Sequence, residues 1–127
     1  MPKATVEVVR CARDARGCVF EPIGAELLCD QKNAHVAVTK PGAIRGNHYH
    51  QHSSETAVVM GPALVRFREE GELRDCVLAE NEIRRFTIPA GVSHSFQNTG
   101  TKPMVLVAFS TTEFDASHPD VIRDQLI

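Results

Sequence analysis

Apolar residues in this chain recur mostly at every second position, and Gly or Pro breaks the pattern every five to ten residues. Successive side chains of a strand point to opposite faces, whereas an amphipathic helix needs apolar residues three and four apart. The pattern therefore restricts the chain to an all-β domain of short strands. TVEVV (5–9), AELLC (25–29), HVAVT (35–39), ETAVVM (55–60), ALVRFR (63–68), LRDCVL (73–78), RRFTI (84–88), HSFQ (94–97) and MVLVAFS (104–110) read as strands. The segments EPIG, KPGA, MGPA, REEGE, IPAG and NTGTKP separate them, each with a Gly or Pro where a strand has to end. Many short antiparallel strands leave edges to protect, which closure into a barrel or a two-sheet jelly roll does. The one helix expected is short, in the tail DVIRDQLI, with Asp120 as its cap and Val121, Ile122 and Leu126 as a weak apolar stripe.

A chain of 127 residues fits one domain, 1–127, with one core and one site. Its net charge of −2, with acidic and basic residues mixed along the chain, lacks the positive field that nucleic-acid binding needs. The opening MPKATVEVVRCARDARG has no apolar leader core, and no run approaches the ~20 apolar residues of a membrane span. A cytoplasmic protein with no membrane partner is the expectation. The four cysteines, Cys11, Cys18, Cys29 and Cys76, are irregularly spaced with no CxxC, as expected of reduced thiols.

The densest chemistry lies in RGNHYHQHSSE (45–55), where His48, His50 and His52 alternate. Strand residues two apart share a face, so His48 and His50 can turn their imidazoles into one space. Glu55 has the wrong parity for the same uninterrupted strand, but Ser53-Ser54 can turn the chain and begin another. In IPAGVSHSFQN, the turn at Pro89 and Gly91 delivers His94 at the start of a strand. Three imidazoles and a carboxylate suit one divalent transition metal, with Zn²⁺ the first expectation and Fe²⁺, Mn²⁺ or Ni²⁺ equally compatible with the donors. The bland reading is a solvated strand face that happens to carry histidines. Of the other two, His35 shares the parity of Ala37 and is expected to be a packed or hydrogen-bonded strand residue, and His118, before Pro119, is expected to face water.

These residues resemble the cupin pattern. The first cupin motif, spanning 42–61, is matched by Gly42, His48, His50, Glu55 and Gly61, and the second, 89–98, by Pro89, Gly91, His94 and Asn98. The Glu55–Gly61 interval is one residue short, and Ile83 stands where the second motif begins with Gly. The resemblance implies a single-domain cupin, an antiparallel β-barrel or jelly roll, with a metal on His48, His50, Glu55 and His94. KPGAIRGNHYH, IPAGVSHSFQNTG and EFDASHPDV are similar to the C-terminal cupin domain of the capsular polysaccharide enzyme CapF and to deoxysugar cupins. DARGCVFEP resembles the opening of sugar-nucleotide ketoisomerases and 3,5-epimerases.

What the narrower resemblance implies is an enzyme that epimerises or isomerises a nucleotide-linked 4-keto deoxysugar for surface polysaccharide synthesis, as a homodimer. Such a reaction needs stabilisation of an enolate oxyanion and a base for the adjacent proton. His52 and Tyr49 are the nearest unassigned candidates for that base, Tyr49 with parity opposite to the ligand pair. The metal-free relatives use the histidine aligned with His48 as a base, and His50 is a second candidate in the ketoisomerase pattern. Arg45 matches a phosphate-binding arginine of the 3,5-epimerases, whereas Arg84 and Arg85 read as a solvated strand face. Two other functions remain open: an Fe²⁺ cupin dioxygenase, and a cupin that binds a small ligand without turnover.

Overall fold

The computed structural model describes residues 2–127. Two five-stranded antiparallel sheets face each other. The first runs β1 (Thr5–Val8), β9 (Ile83–Ile88), β6 (Glu55–Met60), β11 (Met104–Ser110) and β4 (Asn33–Thr39). The second runs β12 (Val121–Arg123), β5 (Ile44–His50), β10 (Ser93–Asn98), β7 (Ala63–Glu69) and β8 (Glu72–Leu78). A small hairpin, β2 (Ala12–Asp14) with β3 (Gly17–Val19), stands apart from both.

Strand β7 shows how the pattern folds. Ala63, Val65, Phe67 and Glu69 are buried in alternation with partly exposed Leu64, Arg66 and Arg68. The turn into β8 uses Glu70 and Gly71, both at positive φ (52° and 79°), the conformation a two-residue hairpin needs to match strand twist. Between the sheets, Phe67, Phe86 and Phe96 form a chain of rings with centroids 5.7 and 6.2 Å apart. Val65, Ile88, Leu106 and Ala57 pack with them. A second cluster lies where Cys11 and Phe20 cover Val58, Met60 and Ile83.

Two expected elements differ. The tail forms no helix: Val121, Ile122 and Arg123 pair with His50, Tyr49 and His48 of β5. A helix this short gains little on its own, whereas pairing satisfies the free edge of a strand. AELLC is not a strand but the single turn α1 (Ala25–Leu28), closed by Leu28 and Cys29 N–H groups on the Gly24 and Ala25 carbonyls. Ala, Glu and Leu are strong helix formers, and their spacing alone does not distinguish a turn of helix from a strand.

Candidate functional site

The second sheet supplies the three imidazoles. His48 and His50 project from the inner face of β5, and His94 of β10 stands opposite His48 in register. Ring centroids lie 5.1 Å apart for His48–His50, 4.8 Å for His48–His94 and 5.5 Å for His50–His94. Glu55 arrives from the first sheet as the first residue of β6; the chain bends at Gln51-His52, not at Ser53-Ser54 as expected, and this break between the strands corrects its parity. One donor atom from each of the four residues falls within 4.8 Å of the others. The two motifs, distant in the chain, thus meet at one point between the sheets.

A bulge makes the geometry. The register between β5 and β10 shifts at His94/Ser95, where Gly46 and Asn47 both take positive φ (89° and 57°). The extra residue turns Arg45 as well as His48 toward the interior, with Arg45 opposite Phe96. Gly46 is required there: a Cβ would lie 2.7 Å from the His94 carbonyl oxygen.

The donor set fits a cation. His94 Nδ1 lies 3.0 Å from the Val92 carbonyl, which only accepts, so Nδ1 carries a proton and, in the neutral imidazole, Nε2 is left with a lone pair. That Nε2 is fully buried, has no hydrogen-bond partner among the described residues, and lies 3.1 Å from Glu55 Oε2. Two acceptors aimed at each other are what a shared metal ion reconciles. His50 Nε2 sits 2.8 Å from the same carboxylate oxygen. Burial pushes His48 down to about 4, and the neighbouring imidazoles add to that shift, leaving it neutral and able to ligate. Burial lowers His50 too, but Glu55 and Asp120 outweigh it and raise the group above its ordinary value. Burial would raise Glu55; its imidazole partners prevail and hold it well below the usual carboxylate range.

Asp120 is a participant that the sequence did not single out for this place. Instead of capping a helix, it accepts the His52 and Ser53 N–H groups at 2.8 and 3.1 Å and the Ser53 hydroxyl. Its Oδ2 stands 3.5 Å from His50 Nδ1, so it steadies the ring whose other nitrogen meets Glu55. Only the β12 pairing, invisible in local periodicity, brings it there.

A cavity of about 340 Å³ opens beside His50, lined by Asn33 and His35 of β4, by Ser110 to Asp120 in part, and by Val121. No lysine or arginine lines it among the described residues, while Glu113, Asp115 and Asp120 do. Phe114, 81% exposed, stands at its lip. His52 and Tyr49, the residues expected nearest to the chemistry, are absent from this lining. His52 is exposed and Tyr49 pairs with Ile122, its side chain on the face opposite to His48 and His50. Arg45 is also outside it: Nε donates to Thr39 Oγ1 and an Nη to the Val38 carbonyl, across the seam between β4 and β5. His118 faces water as expected, with 83% of its side chain exposed, and it lines the cavity; His35, expected to be packed or hydrogen-bonded, is exposed and lines it too. Arg84 and Arg85 are bound to Glu82 and Glu7 on the outer surface, as a structural role requires.

Two facing sheets with both histidine motifs at one end of the interior define a cupin. Residues 12–122 match the polysaccharide biosynthesis C-terminal domain, and the chain belongs to that family. It is 25% identical over 114 residues to the spore coat polysaccharide biosynthesis protein SpsL of Bacillus subtilis, covering 78% of this chain and 76% of that protein. The capsular polysaccharide assembling protein CapF of Staphylococcus aureus superposes with a TM-score of 0.69 at 27% identity, over 93% of this chain. The match spans only 33% of CapF. ChmJ, a 3'-monoepimerase from Streptomyces bikiniensis solved with dTDP-quinovose, shares the fold at TM-score 0.72 and 21% identity, over 90% of this chain and 66% of that one. No helix is long and apolar enough to cross a membrane among the described residues.

Proposed function

We propose that this domain epimerises or isomerises a nucleotide-linked 4-keto deoxysugar during synthesis of a surface polysaccharide. The observation that carries the reading is the buried, unpartnered His94 Nε2 facing Glu55, with His48 and His50 beside them, at the edge of a cavity of sugar size. Membership of the polysaccharide biosynthesis family and the fold shared with a sugar epimerase support it.

His48, His50, Glu55 and His94 would hold one divalent metal, Zn²⁺ first, with Fe²⁺, Mn²⁺ and Ni²⁺ as the alternatives. Such an ion supplies Lewis acidity toward a carbonyl oxygen. The chain's own residues do the rest. Asp120 and Glu55 fix the plane of His50, and the Val92 carbonyl fixes that of His94. A cavity of about 340 Å³ is at the small end of the roughly 300–1,000 Å³ typical of ligand pockets, so it takes the sugar and leaves the nucleotide outside. Its acidic lining repels a diphosphate, which would run along the β4–β5 seam toward Arg45. Two copies would pair through the outer face of the first sheet, where Val36, Val38 and Val105 are exposed.

The test is solvent exchange. In D₂O, the protein is given UDP- and dTDP-linked 4-keto-6-deoxyhexoses, and the sugar is read by mass and proton NMR. Deuterium at C3 of either probe is the expected outcome. No exchange by a metal-loaded protein on either probe refutes the epimerase reading, and oxygen consumption without exchange favours the dioxygenase instead.

A further inference from the structure

We propose that His35 and His118 are the two proton-transfer groups of this site, acting on opposite faces of the carbon next to the sugar ketone. The inference rests on the epimerase reading and assigns roles expected of His52 and Tyr49, neither of which lines the cavity. The cavity contains three imidazoles, and only His50 belongs to the metal-type cluster. The other two lie on different walls. His35 is on β4, the edge strand of the first sheet, opposite Ala108 and of the same inward parity as Ala37 and Thr39. Its outward neighbours Val36 and Val38 show that its own side chain faces the other way, toward the cavity, where it remains exposed. His118 stands three residues before β12, the edge strand of the second sheet. The cavity lies between them.

The loop carrying His118 is built to present it. Asp115 accepts the Ser117 N–H at 3.0 Å and the Ser117 hydroxyl at 2.7 Å, and the His118 N–H closes on the Asp115 carbonyl at 3.1 Å. Asp115 Oδ2 then meets His118 Nδ1 at 3.0 Å. A carboxylate on Nδ1 fixes the tautomer, leaves Nε2 as the base, and stabilises the imidazolium that forms when it takes a proton. An ion pair this exposed adds little to stability, so its value lies in orientation. The His35 backbone pairs with Ala108, but its ring makes no hydrogen bond among the described residues, so both ring nitrogens remain available to a ligand.

Epimerisation needs a proton taken from one face of C3 and one returned to the other. Neutral His118 Nε2 takes the C3 proton; the C–H electron pair forms the C3–C4 double bond, and the carbonyl π pair moves to the C4 oxygen. Protonated His35 gives its proton to the opposite face as that pair returns to C3. The enzyme then resets by losing the His118 proton to water and gaining one at His35. The reverse reaction exchanges the two roles.

The experiment compares wild type with His35→Asn and His118→Asn, both at the cavity wall and outside the ligand cluster. Each is given each C3 epimer of the UDP- and dTDP-linked 4-keto-6-deoxyhexoses in D₂O. Wild type interconverts the epimers with deuterium entering at C3. Each variant is expected to lose interconversion at least 100-fold while still exchanging deuterium into one epimer, the opposite one in the two cases, with metal content unchanged. Asp115→Asn, altering a positioning residue, slows exchange and moves its pH profile without changing KM. Full interconversion by either histidine variant, or loss of exchange from the same epimer in both, overturns the assignment while leaving the epimerase reading intact. An inactive wild type overturns both.

Discussion

The interior of this barrel has two ends that share strands but not chemistry. On β10, Phe96 points into the ring of Phe67 and Phe86, and His94, two residues earlier on the same face, points into the imidazole cluster. The two rings lie only 5.8 Å apart. One end gains stability by removing apolar surface from water; the other buries a carboxylate against an imidazole nitrogen 3.1 Å away. The aromatic half is buried and packed ring on ring, and it fixes the strand positions from which the polar half converges. Position on one face of a strand sets where a side chain goes, and chemistry sets whether it stabilises or acts.

That contrast can be broken from either side. Phe67→Ala or Phe86→Ala should cost about 3–5 kcal/mol in urea denaturation, because each ring is fully buried and the packed core cannot collapse around the loss. His94→Ala in metal-free protein should cost clearly less, since it also removes a buried unpartnered nitrogen; an equal cost would erase the distinction between the two ends. Gly46→Ala should cost about 1–3 kcal/mol from the positive φ alone and more from the clash with the His94 carbonyl, with metal affinity lowered because the bulge sets His48 against His94.

Protonation sharpens the comparison further, because the aromatic end is indifferent to pH. With a chelator present, three groups act in sequence. The folded value of His50 is raised, so its contribution is present below its unfolded value of 6.5 and is lost as pH rises through the folded value. His48 is lowered to about 4, so stability falls as pH drops from 6.5 toward 4, where only the unfolded chain takes up that proton. Glu55 is lowered as well; its contribution is present above its unfolded value of 4.5 and is lost as pH falls further. Metal-free protein should therefore show a maximum in Tm near pH 6.5, and a Tm that rises steadily from pH 5 to 9 would contradict the cluster's electrostatics. The smallest effect belongs to the outer face: Val36→Asp should change stability by no more than about 0.5 kcal/mol while converting a dimer to monomer in analytical ultracentrifugation.

Most strands were legible because one-sided burial leaves a period-two trace. ETAVVM and MVLVAFS coincide with β6 and β11, and the four cluster residues follow from spacing and turns. What escaped depends on contacts between distant segments. The tail reads as a weak helix until β5 offers it an edge, and Asp120 becomes a partner of His50 only through that pairing. The bulge at Gly46-Asn47 shifts the inward parity, so Arg45 cannot be placed by counting from His48. His35 was visible as an inward residue of β4, but not the cavity in front of it, because the loop that encloses that space folds back from far along the chain. Tyr49 and His52 are the nearest to the ligands in sequence, yet neither lines the cavity beside His50.

Metal content decides whether the two histidine motifs act as one site. Elemental analysis of protein purified without added metal, for wild type and for His94→Ala, should find about one equivalent of a divalent transition metal per chain in the first and less than a tenth of that in the second. A wild type that exchanges deuterium into the sugar at full rate while free of metal, or a His94→Ala protein that keeps its equivalent, would contradict the claim that the two histidine motifs form one metal site.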